Sequence, residues 1–413
     1  MNAPELVITG IGVVAPNGVD KNTFWQSLEA GKNAVREITS LEIDQCDLKI
    51  GAQVTDFDAK AVLGAKGLRN LDNSTLFLLA ATKQALDDTG FIVTDENTDK
   101  IGICTGTTFS HFWSIIEFDR EVFQSGLKFA NPALFPSTVI NAASSQVSIR
   151  FNIQGFNATI STGYTSNIEA LKYASSIFAN QDMDIILLGA VDALSPSVMF
   201  GFNKLGYVAG THGPTVSCPF DKRRNGPILG EAAIMFALEK QTDAVRRRST
   251  ILAKVRGIGT FFDGFHFGKI HPKGEGLEQA IRNAFDQSGF MPKEIDYISS
   301  CANSAQDLDK IEVMVLKRIF GAQLKKTPVS SIKSMIGETF SSAGGLQIAS
   351  CIGAMHRGKI PPTINYKEKD PDCDIDCVPN IAQNKEVKRA LVTSFGPGGY
   401  NSACIIEKYE DCQ

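Results

Sequence analysis

The 413-residue chain lacks a broad basic signature: its formal net charge is −4, and only Lys222-Arg223-Arg224 and Arg246-Arg247-Arg248 gather cations. Nucleic-acid binders and membrane-surface proteins need a wide cationic face, so neither partner is expected, and the two runs read as solvated surface. No stretch approaches the roughly 18 consecutive apolar residues of a spanning helix. Nor does Met1-Asn2-Ala3-Pro4-Glu5 set a positive segment before one, so a cytoplasmic location is expected. Nine cysteines, at 46, 104, 218, 301, 351, 373, 377, 404 and 412, are odd in number and without the dense spacing of a disulfide scaffold, so reduced thiols are expected. Cys373 and Cys377 have no second Cys or His pair beside them, which argues against zinc, and no cofactor is expected. What the chain does have is 43% hydrophobic and 21% charged residues with 36 glycines, the profile of an α/β protein with many tight turns.

Leu6-Val7-Ile8-Thr9 reads as a short buried strand ending at Gly10-Ile11-Gly12, followed by a turn at Pro16-Asn17-Gly18 and a helix around Thr23–Ala30. Further β-rich runs fall at Ile101–Thr105 and Ile185–Leu188, with helical patterns at Leu76–Asp87 and Asn167–Ala179 between them, so a mostly parallel sheet covered by helices is predicted. Past residue 250 the alternation restarts: a strand at Ile251–Val255, a helix at Gly276–Ser288 and a strand at Tyr297–Ser300. Ala390–Glu407 reads as two strands joined at Gly396-Pro397-Gly398-Gly399. The expectation is two similar halves, 1–250 and 251–413, with no low-complexity linker between them.

Cys218-Pro219-Phe220-Asp221-Lys222-Arg223-Arg224-Asn225-Gly226, followed by Gly230-Glu231-Ala232-Ala233, closely resembles the PFD-x-x-R-x-G-x-x-x-GE block of β-ketoacyl-acyl-carrier-protein synthases. Thr9–Gly12, Ile360-Pro361-Pro362-Thr363-Ile364-Asn365 and Phe395–Asn401 resemble further blocks of that family, in family order along the whole chain. The resemblance implies a thiolase-like α/β fold, two related halves stacked as five alternating layers, normally dimeric. Working members use a cysteine at a strand-to-helix turn to take the acyl chain as a thioester. They also use two histidines, which donate hydrogen bonds to the enolate formed by decarboxylation.

In this chain the nucleophile motif T-A-C-A-T-G falls on Ala158-Thr159-Ile160-Ser161-Thr162-Gly163, so Ile160 occupies the cysteine position. The first histidine motif falls on Ser299–Ala305 and puts Cys301 at the histidine; the second falls on Lys333–Glu338 and puts Glu338 there. Isoleucine has no nucleophilic atom, and a carboxylate would repel an enolate. His111, His212, His266, His271 and His356 all lie outside these motifs and read as surface or polar-core residues. Asp309, Glu312 and Lys333 match the family's internal charged cluster, and Gly398 and Gly399 its loop facing the active site. All five are expected to serve as scaffold.

Among relatives of this fold the chain is most similar to the chain-length factors of bacterial type II polyketide synthases. These lack the same three groups, pair with an active ketosynthase and line the end of its acyl tunnel. The resemblance implies a non-catalytic chain-length-determining subunit, inactive alone, whose partners are an active ketosynthase, an acyl carrier protein and the polyketide (or polyene) intermediate held by the partner. Many chain-length factors carry glutamine, linked to decarboxylative priming, where Ile160 stands; Ile160 cannot donate a hydrogen bond, so priming is not expected. Phe109, Phe112, Trp113 and Ile116, at helical i, i+3, i+4, i+7 spacing, are the candidate tunnel gate, with an ordinary core stripe as the alternative. Pro132–Gln146 is the dimer contact that the resemblance implies. Two other functions stay open: a divergent acyltransferase using Cys301 or Ser161, and a carrier-protein scaffold docking through Arg223, Arg224 and Arg246–Arg248.

Overall fold

The computed structural model describes residues 4–410; Met1–Ala3 and Cys412 lie outside the described residues. Ten strands form one mixed sheet: β1 (Leu6–Val14), β2 (Ile101–Gly106), β3 (Asn157–Ile160), β4 (Ile185–Asp192), β5 (Ala232–Lys240), β6 (Ala253–Phe262), β7 (Tyr297–Ser299), β8 (Val329–Ser330), β9 (Arg389–Phe395) and β10 (Tyr400–Lys408). Their spatial order is β8-β7-β9-β10-β6-β1-β5-β4-β2-β3. Outward from the β1–β6 junction, each set of five runs first, last, fourth, second, third in chain order, so the architecture is duplicated about that junction.

The helices that position the site are α1 (Asn73–Thr89), α2 (Phe112–Ser125), α3 (Ala142–Phe151), α4 (Ser166–Asn180), α5 (Glu275–Ser288), α6 (Gln306–Phe320) and α7 (Ala343–Arg357). α4 packs on β2 and β4 from one half and on β6 and β10 from the other, and it touches α7. α7 is buried along Ala343–Met355, as an almost wholly apolar helix must be. α1 covers β1 and β5 from outside and α5 covers β6 and β10, which completes five alternating layers.

Three expectations need correction. The sheet is not mostly parallel: β1, β5, β6 and β10 pair antiparallel with one another across the centre, and only the outer pairs β2–β3, β2–β4, β7–β8 and β7–β9 are parallel. A strand buried on both faces is apolar whichever way it runs, so its pattern carries no direction. Gly10-Ile11-Gly12 does not end β1 but lies inside it, past a register shift between Ile8 and Gly10. The glycines are there because α1 crosses the strand in contact: a Cβ on Gly12 would sit 1.8 Å from the Ala81 carbonyl oxygen, and one on Gly10 2.3 Å from that of Ala85. The second half repeats the device, with Gly259 at 1.8 Å from the Ala280 oxygen and Gly257 at 2.1 Å from the Ala284 oxygen. Finally, the strand expected at Ile251–Val255 begins at Ala253 and continues through these glycines to Phe262.

Candidate functional site

β3 ends at Ile160, whose carbonyl accepts the Thr107 N–H at 3.0 Å. The chain turns through Gly163 at φ +68° and enters α4, where Ser166 Oγ accepts the Thr162 N–H (2.9 Å) and donates to the Gly163 carbonyl (2.7 Å). The strand-turn-helix geometry that presents a nucleophile is therefore intact. The side chain it presents is Ile160, half-buried against the central core. Ser161 beside it is exposed.

The two positions expected to match the family's histidines meet across the core. Cys301 follows β7, and its backbone N–H is held by Glu312 Oε1 and Thr393 Oγ1, both at 3.1 Å. Lys333 Nζ lies 3.4 Å from Cys301 Sγ and donates to Glu338 Oε2 at 2.8 Å. Glu338 also accepts from Asn303 Nδ2 (2.8 Å) and from the Phe340 N–H (3.0 Å), so its oxygens are turned to internal donors. Cys301, Lys333 and Glu338 are all buried. Burial pushes the Cys301 thiol up to about 12, outweighing the attraction of Lys333. Burial pulls the Lys333 ammonium down, but Cys301 and Glu338 more than reverse this and hold it above its ordinary value. A thiol that keeps its proton is a poor nucleophile at neutral pH.

Aromatic rings pack beside Lys333 and Glu338. Phe340, at φ +52°, packs edge-on against Phe109 at 5.1 Å and tilted against Phe202 at 5.4 Å and Tyr164 at 6.0 Å. Tyr207 extends the group from Phe202, and the Lys333 ammonium lies 5.4 Å above the Tyr164 ring. The Tyr164 ring also backs onto the glycine loop, where a Cβ on Gly396 would meet it at 2.7 Å. Gly399 takes φ +82° there, and Gly398 has open space around it. The motif comparison missed Tyr164, Phe202, Tyr207, Phe340 and Asn303. Tyr164 and Phe340 stand one residue past the nucleophile motif and two past Glu338, the only sequence signal available.

The expected gate stripe divides. α2 begins at Phe112, so Phe109 is not on it. The Asp192 carboxylate accepts the Thr108 and Phe109 N–H groups (3.0 and 2.6 Å) and holds a turn that sends Phe109 inward. Phe112 is exposed, Trp113 lies under the Arg120 guanidinium at 5.2 Å, and Ile116 is half-buried. No α2 residue is buried; Phe123 on it and Leu127, Phe129, Phe135, Val139 and Ile140 beyond it are exposed. Of the Pro132–Gln146 segment, Phe135, Val139 and Ile140 belong to this face, while Ala142, Ala143 and Ser144 are buried.

The scaffold charges are internal. Asp309 accepts the Phe220 and Asn303 N–H groups, and burial pushes its carboxyl up to about 7 against the pull of Arg224. Glu312 accepts Ser300 Oγ at 2.6 Å. Arg224 is not solvated surface, as the sequence suggested, but 4% exposed and paired with Asp309 and Asp370. Arg223 is tied to Asp221 at 2.8 Å, two residues before it, and Arg247 to Glu239 at 2.6 Å, eight residues before it. Of the expected docking cations, Arg246 and Arg248 are exposed. A surface cavity of about 550 Å³ opens between Tyr207, Phe265, Ile270, Leu308 and Pro397.

A duplicated five-layer sheet, with a strand-to-helix turn facing a buried Cys-Lys-Glu cluster, defines a condensing-enzyme scaffold of the thiolase type. The models of the β-ketoacyl synthase N-terminal and C-terminal domains match residues 3–244 and 252–367, and the chain belongs to the β-ketoacyl synthase family. It is 32% identical to 3-oxoacyl-[acyl-carrier-protein] synthase 2 of Coxiella burnetii (strain RSA 493 / Nine Mile phase I), over 100% of both chains. It is also 32% identical to the tetracenomycin polyketide synthase ketoacyl synthase alpha subunit of Streptomyces glaucescens, over 98% of this chain and 97% of that one. Among solved structures, the ishigamide ketosynthase/chain length factor superposes with a TM-score of 0.92 at 27% identity, over 99% of this chain and 100% of that one. No helix among the described residues is long and apolar enough to cross a membrane.

Proposed function

We propose that this chain is the non-catalytic, chain-length-determining partner of an active ketosynthase in a type II polyketide system, where an acyl carrier protein delivers the intermediate. The observation that carries this reading is Ile160 at an otherwise intact nucleophile turn, since no arrangement of neighbours gives isoleucine a nucleophilic atom. Glu338, with its lone pairs committed to Lys333, Asn303 and Phe340, supports it: an enolate needs donors where this site has an acceptor. The aromatic group around Phe340 supports it further, because it packs against Lys333 and Glu338. Pairing is supported by the uncovered apolar face of α2 and the Phe129–Ile140 stretch, of a kind that usually marks an interaction site. Phe112, Trp113 and Ile116 on that face gate the partner's tunnel, while Phe109 packs inward on Phe202 and Phe340. Asp309, Glu312, Lys333, Gly398 and Gly399 maintain the scaffold.

Incubating the purified chain with malonyl- and acyl-loaded carrier protein and weighing it intact tests the loss of chemistry; no acyl adduct is expected. Co-expression with a ketosynthase bearing an intact cysteine is expected to give a stable heterodimer that makes polyketide. A homodimer that condenses acyl and malonyl groups by itself would overturn the proposal.

A further inference from the structure

The cluster at the two histidine positions has a chemistry of its own, whichever partner the chain has. Cys301 Sγ lies 3.4 Å from Lys333 Nζ, and Lys333 Nζ lies 2.8 Å from Glu338 Oε2, so a thiol, an amine and a proton acceptor stand in sequence in a buried site. Lys333 is fixed on the other side by the Tyr164 ring, and Cys301 by the backbone of Phe395, whose N–H and carbonyl contact Sγ at 3.4 and 3.3 Å. Neither side chain can swing away from the other without breaking these contacts. Both groups keep their protons at rest, which leaves the pair unreacted until an oxidant arrives.

We propose that Cys301 and Lys333 form a reversible oxidative modification site, in which peroxide joins them by a sulfenamide bond. Hydrogen peroxide draws on the thiolate fraction of Cys301 that the Lys333 ammonium at 3.4 Å stabilises; the sulfur takes one peroxide oxygen to give the sulfenic acid, the O–O bond breaks, and the other oxygen leaves as water with the thiol's proton. The Lys333 ammonium passes a proton to Glu338 and becomes an amine. Its nitrogen attacks the sulfenic sulfur, the S–N bond forms, the S–O bond breaks, and hydroxide leaves as a second water with the proton released by nitrogen. Exclusion of bulk water favours capture by the neighbouring amine over further oxidation. Tyr207 lines the 550 Å³ surface cavity and packs on Phe202, which packs on Phe340 beside Glu338, so the cavity approaches the cluster from the Tyr207 side. The link neutralises Lys333 and leaves Glu338 protonated, so thiol reduction restores the ion pair.

The full-length chain, treated with hydrogen peroxide, alkylated and digested without reductant, is read by peptide mass spectrometry. The expected species joins the Cys301 and Lys333 peptides at about 2 Da below their combined mass, and dithiothreitol releases it. Cys301→Ser, a near-isosteric change, is expected to abolish the species while pairing with a ketosynthase persists. Cys301 recovered as free thiol, or as sulfinic or sulfonic acid without the link, overturns the proposal. So does a linked species that survives in Cys301→Ser.

Discussion

At the residue scale, the chemistry of this protein is decided by what surrounds a few buried side chains. Cys301 carries a thiol where the family resemblance implies a histidine, and burial holds its proton in place, so the residue type by itself misleads. Glu231, from the GE pair of the family block, is 3% exposed and accepts the Val54 and Leu194 N–H groups at 2.9 Å each, and burial pushes its carboxyl up to about 7. Between its ordinary value of 4.5 and about 7 the folded chain keeps this proton while the unfolded chain releases it. Stability therefore falls as pH rises through that window and levels off above it, by about 3 kcal/mol for this group. In Glu231→Gln that share of the pH dependence should vanish. Urea unfolding at pH 5 and pH 8 measures it, and an unchanged difference between the two pH values would refute the assignment.

At the scale of elements, the two halves use one packing device: a Gly-Ile-Gly strand beneath a helix with alanines four apart. Gly12→Ala drives a methyl into the Ala81 carbonyl, and Gly259→Ala does the same at Ala280. Each should lower stability by at least about 1–3 kcal/mol, seen as a lower urea midpoint. Gly201→Ala, in a helix with nothing within 4 Å of the added carbon, should be neutral or slightly stabilising. Equal behaviour at Gly12 and Gly201 would sink the argument from close approach. α2 belongs to this scale too. With the chain co-expressed beside an active ketosynthase, Trp113→Ala should lengthen the polyketide product, and mass spectrometry of the product reads it directly. Unchanged length would remove Trp113 from the gate.

At the scale of the whole molecule, the apolar face from Phe112 to Ile140 is exposed, and Ile140→Glu places a charge on it. Size-exclusion chromatography of the co-expressed pair should then show separated subunits, with the variant's own melting temperature little changed because Ile140 is already exposed. A pair that stays together would move the interface elsewhere. The sequence by itself determined the family blocks, the placement of most helices and strands, and the absence of a nucleophile at residue 160. Those features are written in contiguous residues, and isoleucine is inert in any environment. Strand direction and the glycines inside β1 were not legible, because an apolar run has no orientation and a glycine within a strand looks like one that ends it. Only the tertiary structure brought Lys333 beside Cys301, closed Phe109 on Phe340 and buried Arg224 against Asp309 and Asp370. Each of these joins residues dozens to hundreds of positions apart, and burial, which the fold alone sets, fixes whether such a group keeps its charge, its proton or its reactivity.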